Sequence, residues 1–135
     1  IRKHRIVEGH GALLPEHIHV KGQTVIFLSP QEAQKKYAIL DAANDVATFS
    51  IELLRQQEEE LNSSFLDRYL RSSRDRTDMK PLLPVYQMYA ALRLGVTSCE
   101  MRTAMAWTEE EREAFQQRAV QYFNIAVRFA RQLPH

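Results

Sequence analysis

Of the four glycines in this 135-residue chain, three lie within the first 28 residues, and beyond that point apolar residues recur every three or four positions almost to the end. Glycine is the residue that most readily leaves the helical basin, so a long stretch holding only Gly95 and spaced at the helical period is directed towards helix. The first 28 residues carry no such constraint. The contrast divides the chain into a strand-rich N-terminal segment, residues 1–28, and a helical body, residues 29–135, forming one compact domain. The expected fold class is mainly α: a bundle of four to five antiparallel helices with two or three short N-terminal strands.

Within the N-terminal segment, Ile6 and Val7 precede Gly9-His10-Gly11. His17-Ile18-His19-Val20 alternates as a half-buried strand does, Lys21-Gly22 reads as a turn, and Gln23 to Leu28 is β-branched and aromatic enough for a second strand. Ser29-Pro30-Gln31-Glu32 is a capping pattern with proline at the first helical position, so a long first helix is expected from Ser29. Tyr37, Leu40, Ala47, Ile51 and Leu54 give it one apolar stripe; Ile39, Ala42, Val46, Phe49 and Leu53 give a second, which predicts central burial. Gln56 to Glu60 reads as solvated, with a shorter second helix after a break near Asn62-Ser63-Ser64. Arg71 to Lys80 has no apolar period and reads as a loop. Pro84 opens a helix closed by Gly95, Thr97-Ser98-Cys99-Glu100 caps a short helix ending near Trp107, and Thr108 to Glu111 caps the last. That last helix presents Phe115, Ala119, Tyr122, Phe123, Ala126, Phe129, Ala130 and Leu133 on one face.

Charge excludes little by sign and much by size. The 18 basic and 17 acidic residues nearly cancel, leaving no global field to draw in nucleic acid or an anionic membrane. No run approaches the roughly 18 unbroken apolar residues of a spanning helix. One cysteine cannot form an internal disulfide, which favours a reducing compartment: the cytoplasm, or a host cell entered by a secreted protein. Beginning at Ile1 without an initiator Met, the chain reads as a piece of something longer.

Chemistry concentrates at Gly9-His10-Gly11, where flanking glycines let a ligand approach an imidazole able to act as a base near neutral pH. The string Val7-Glu8-Gly9-His10-Gly11-Ala12-Leu13-Leu14-Pro15, followed by His19 to Phe27, resembles the His-Gly segment of caspase-like cysteine hydrolases, and more closely that of the Stv-type adhesin or effector domains. The likeness spans residues 5–28. It implies that His10 is the catalytic base and that the chain is a bacterial effector connected with virulence. Caspase-like folds place their cysteine after another parallel strand, whereas here residues 29–135 read as helix. The single thiol, Cys99, falls in the first turn of an expected helix, where unpaired N–H groups favour a thiolate. A His10–Cys99 pair would make a cysteine-dependent hydrolase or transferase.

Other constellations are thinner. His17 and His19, two apart on a strand, share a face and with His4 or His10 could clasp a metal, but no established metal-ligand spacing accompanies them, and no metal or cofactor is expected. Arg68, Arg71, Arg74, Arg76 and Lys80 form a basic cluster diluted by acidic neighbours and without interleaved aromatics, so a nucleic acid is not the expected partner. Tyr86, Met88, Tyr89 and Trp107 are the residue types interfaces favour. The expected function is therefore a protein–protein interaction module, binding another protein or a second copy through an exposed apolar strip around helices 84–94 and 98–107 or through a strand edge. Tyr86, Met88, Tyr89, Trp107, Arg71, Arg74 and Arg76 are its candidate binding residues. The alternative is the cysteine hydrolase, with His10 and Cys99 catalytic.

Overall fold

The computed structural model describes residues 6–11, 13–28, 39–73, 76–104 and 107–133, with the backbone alone for Ile39, Leu40 and 76–78. It is mainly α, as the glycine distribution requires. Strand β1 (Ile6–Glu8) pairs antiparallel with β4 (Ile39–Asp41), and β2 (Ile18–Lys21) pairs with β3 (Thr24–Phe27), giving two separate two-stranded sheets. Among the described residues four α-helices follow: α1 (Ala42–Arg55), α2 (Glu59–Ser72), α3 (Arg76–Arg102) and α4 (Glu109–Ala130).

The β2–β3 hairpin turns at Gly22-Gln23, with Lys21 opposite Thr24 and Gly22 at φ +61°, the left-handed backbone that a type II′ turn needs at its first central position. The helix expected from Ser29 differs. Its proposed cap, Ser29 to Glu32, and the residues that follow to 38 lie outside the described residues, and Ile39 and Leu40 belong to β4, in register with Glu8 and Val7. Helix α1 is instead capped by Asp41, whose Oδ1 accepts from the Ala43 N–H at 3.0 Å.

Helix α1 ends at Gln57, which takes φ +64° although it is not glycine. The Glu58 N–H reaches the Leu53 carbonyl at 2.9 Å and the Gln57 N–H reaches that of Leu54 at 3.1 Å, the paired bonds of a Schellman ending. The break therefore precedes Asn62, and α1 and α2 come out equal at 14 residues each rather than long and short.

The largest correction concerns α3. Arg71 and Ser72 finish α2, α3 starts at Arg76, and it runs through Pro81, Pro84 and Gly95 to Arg102, so the expected loop and two short helices are one helix and its two flanks. Buried Met79 and Leu83 hold the inner face on either side of Pro81, which offsets the backbone bonds the prolines remove. Gly95 is no cap: an added Cβ would sit 2.6 Å from Phe123 Cε1, so its missing side chain lets α4 approach. The expected cap at Thr97 to Glu100 does not form, because these residues are interior to α3, and the Ser98 hydroxyl donates to the Leu94 carbonyl at 2.9 Å. The Thr108 cap forms as expected, with Glu111 N–H donating to Oγ1 and Thr108 N–H to Oε2. On α4, Ala119, Tyr122, Ala126 and Phe129 are buried, while Ala130 is exposed and Leu133 lies beyond the helix.

Helix α1 is enclosed, with Val46, Ala47, Ile51 and Leu54 in the core beside Leu83, Ala90, Ala91 and Leu94 of α3 and Tyr122, Ala126 and Phe129 of α4. Enclosure also buries its polar residues Thr48, Ser50 and Glu52. Each has a partner from a neighbouring helix: Arg93 Nη2 donates to Thr48 Oγ1 at 3.0 Å, Gln87 Nε2 to Ser50 Oγ at 2.7 Å, and the Tyr122 hydroxyl to Glu52 Oε1.

Gly95→Ala tests the α3–α4 approach. Alanine favours helix, but overpacking against the Phe123 ring outweighs that gain, and a net loss of about 1–2 kcal/mol is expected in urea unfolding. An unchanged or raised midpoint would place the ring elsewhere.

Candidate functional site

The Gly-His-Gly segment is clasped at two points. The backbone N–H groups of His10 and Gly11 both donate to Asp45 Oδ2, at 2.6 and 3.2 Å, and Gly11 takes φ +81°, a conformation few side-chain-bearing residues adopt. Asp45 sits in the first turn of α1, where a carboxylate is favoured by the helix dipole. The imidazole serves the second point: His10 Nε2 lies 2.9 Å from the Leu28 carbonyl, the Leu28 N–H donates to the His17 carbonyl at 2.8 Å, and the His10 and His17 rings stack with centroids 4.7 Å apart. A donating Nε2–H leaves Nδ1 as the lone-pair nitrogen, and that atom is buried with no hydrogen-bond partner among the described residues. A general base must reach its substrate's proton, and this geometry gives the ring a tethering role instead.

Cys99 is exposed and lies in the last turn of α3, not in the first turn of a helix, so the N–H groups invoked for a thiolate are not there. No hydrogen bond among the described residues joins it to His10. His17 is committed to the clasp and His19 is exposed, and among the described residues no three His, Cys, Asp or Glu side chains gather as a metal site.

The candidate binding residues separate by burial. Tyr86 is half-buried and its hydroxyl donates to Asp41 Oδ2 at 2.9 Å; Met88 packs against the core. Tyr89 is 55% exposed. Trp107 is half-buried, its ring 5.2 Å from that of Phe115. Arg71 is exposed and pairs with Asp67 at 2.9 Å on its own helix, Arg74 lies outside the described residues, and Arg76 is described by its backbone only. The basic residues therefore do not assemble into a patch with the aromatic ones among the described residues.

The outer face of α3 does assemble. Leu82, Val85, Tyr89, Leu92 and Val96 are all exposed, spaced alternately three and four residues apart, opposite the buried Met79, Leu83, Ala90, Ala91 and Leu94. Spacing of this kind lines one side of a helix and suits a second helix laid along it. A second exposed apolar region is the β2–β3 hairpin, where Val20 (71% exposed), Val25, Ile26 and Phe27 meet solvent.

A buried polar cluster, absent from the sequence reading, lies at the other side of the bundle. Glu52 accepts from Tyr122 and from the guanidinium of Arg55, with Arg55 Nη2 at 3.0 Å from Oε2. Burial, then the bond to Glu52, pushes the Tyr122 phenol well above its ordinary value of 10.0, and burial with the charges of Asp41 and Asp45 raises that of Tyr69. Its spacing signal was Glu52 and Arg55 three apart, but a Glu–Arg pair at that distance is usual on any solvated helix face. No family model, no curated protein and no solved structure matches this chain.

Asp45→Asn leaves the shape of the clasp and removes its charge. Charge-assisted bonds are worth about 1.5–3 kcal/mol each, so amides of residues 6–28 should exchange hydrogen at least tenfold faster while those of α3 and α4 stay protected. Equal protection in both proteins would refute the clasp.

The phenols give a pH dependence. Raised phenol values mean that the folded chain keeps protons the unfolded chain loses, so stability is full below the unfolded value near 10 and falls as pH rises above it. Urea unfolding between pH 9 and 11.5 should show this decline, and Tyr122→Phe should flatten it.

Proposed function

We propose that this chain is a protein–protein interaction module whose docking face is the outer side of α3. The observation that carries the reading is the stripe Leu82, Val85, Tyr89, Leu92 and Val96. An exposed leucine alone needs no explanation, whereas five apolar side chains in line along one helix are the kind of contiguous patch that marks an interface. The stripe runs for about 21 Å along the axis at 1.5 Å per residue.

The occupant that fits is an amphipathic helix with an apolar seam of its own, because only a helix matches the alternating three-and-four spacing. Five half-exposed side chains present roughly 400 Å². At about 25 cal/mol per Å² this contributes on the order of 10 kcal/mol, much of it offset by the cost of association, so a moderate, reversible complex is the expectation. Among the described residues no further strand pairs with the β2–β3 hairpin, whose edges offer a second attachment by strand addition.

The further step, to a bacterial effector acting inside a host cell, rests on the resemblance of residues 5–28 to Stv-type domains. The cysteine-hydrolase alternative has no contact in its favour, because His10 and Cys99 have separate surroundings.

A photo-crosslinking residue placed at Tyr89 should capture a partner or a second copy in cells. The same residue at Gln121, exposed on α4, should not. Loss of the Tyr89 crosslink in Leu92→Asp, with an unchanged circular dichroism spectrum, would support the reading; equal capture at both positions, or none at either, would overturn it.

A further inference from the structure

The cluster around Glu52 forms the floor of a cleft of about 500 Å³ between α1, α3, α4 and the N-terminal segment. That volume falls in the range of small-molecule sites. Its lining includes the apolar side chains of Leu14, Leu94, Met101 and Phe115 and the hydroxyls of Thr97 and Ser98. The polar floor is already balanced, since Arg55 and the Tyr122 hydroxyl satisfy the Glu52 carboxylate, which is itself 4% exposed.

Arg118 is different. It lines the same cleft, its guanidinium carbon stands 5.7 Å from the centre of the Phe115 ring, and it makes no ion pair among the described residues. Glu16, also in the lining, likewise has no ion pair among them. A second cleft, of about 480 Å³, is lined by Arg102, Glu109, Glu113 and glutamines with Val120 as its one aliphatic residue, so it lacks the apolar lining.

We propose that the cleft at Arg118 binds a small carboxylate carried on an apolar body, aliphatic or aromatic. The apolar part lies against Leu94, Met101 and Phe115, and the carboxylate meets the Arg118 guanidinium, whose planar fork matches two carboxylate oxygens. Leu14 brings the N-terminal segment into the lining, so the Asp45 clasp also holds part of the site. A ligand negative at one end only turns that end from Glu16 towards Arg118. This assignment is independent of the docking face on α3.

Octanoate is the probe, with octanol as the chain without the charge and phosphate as the charge without the chain. Trp107, the only tryptophan, touches Phe115 and reports by fluorescence. Backbone amide shifts at Thr97 and Ser98 report directly. Saturable octanoate binding at these positions is expected, weaker for octanol and undetectable for phosphate. Arg118→Gln should weaken octanoate about tenfold, the worth of a single charge-assisted contact. Glu16→Gln should leave it equal or tighter, and Thr97→Trp should block it by filling the cleft. Octanol binding as tightly as octanoate, affinity unchanged by Arg118→Gln, or shifts confined to the exposed hairpin would each overturn the proposal.

Discussion

Enclosing a helix on every side leaves its polar residues no water, and α1 carries Thr48, Ser50 and Glu52 into that enclosure. An unpaired buried hydroxyl costs about 1–3 kcal/mol and a carboxylate more, so α1 is stable in this place only if Arg93, Gln87 and Tyr122 arrive opposite those positions together. Apolar contacts among Ala47, Ile51, Ala90, Ala91 and Ala126 tolerate a slide of one residue far better than these three bonds do. The polar layer thus fixes the register of α3 and α4 against α1. The cleft beside Glu52 and the outward facing of the α3 stripe both follow from that register.

The sequence was most legible where one local rule acts alone. Thr108 to Glu111 forms its capping box, Gly22 sits in its turn, and the double stripe on α1 correctly announces burial. It was misleading where tertiary packing overrides a local rule. Pro81, Pro84 and Gly95 are helix breakers by propensity, yet Met79 and Leu83 hold the helix through the prolines and Phe123 requires the glycine's bare backbone. Gln57 is the reverse case: a left-handed ending occurs where no glycine signals it.

Legibility of the candidate sites follows the same division. Of the exposed stripe on α3, the sequence singled out Tyr89 alone as a binding residue, because the expected strip was split between helices 84–94 and 98–107: in two short helices Tyr89 and Val96 share no axis. Gly9-His10-Gly11 was singled out for catalysis, but its structural role depends on Asp45, 34 and 35 residues away from the groups it holds, a separation that no local pattern encodes. Likewise the pairing of Glu52 with Tyr122, 70 residues apart, exists only after the bundle closes.

Those long separations bear on the order of events as the chain is made. The β2–β3 hairpin emerges from the ribosome before Asp45 and all of α1, and an isolated two-stranded hairpin is marginal in water. Val20, Val25 and Phe27 stay exposed even after the helices gather, so closing the bundle tethers the hairpin through Asp45 without covering it. The vulnerable interval for this segment therefore lies between its own synthesis and that of α1, when it has an adhesive surface and nothing to hold it.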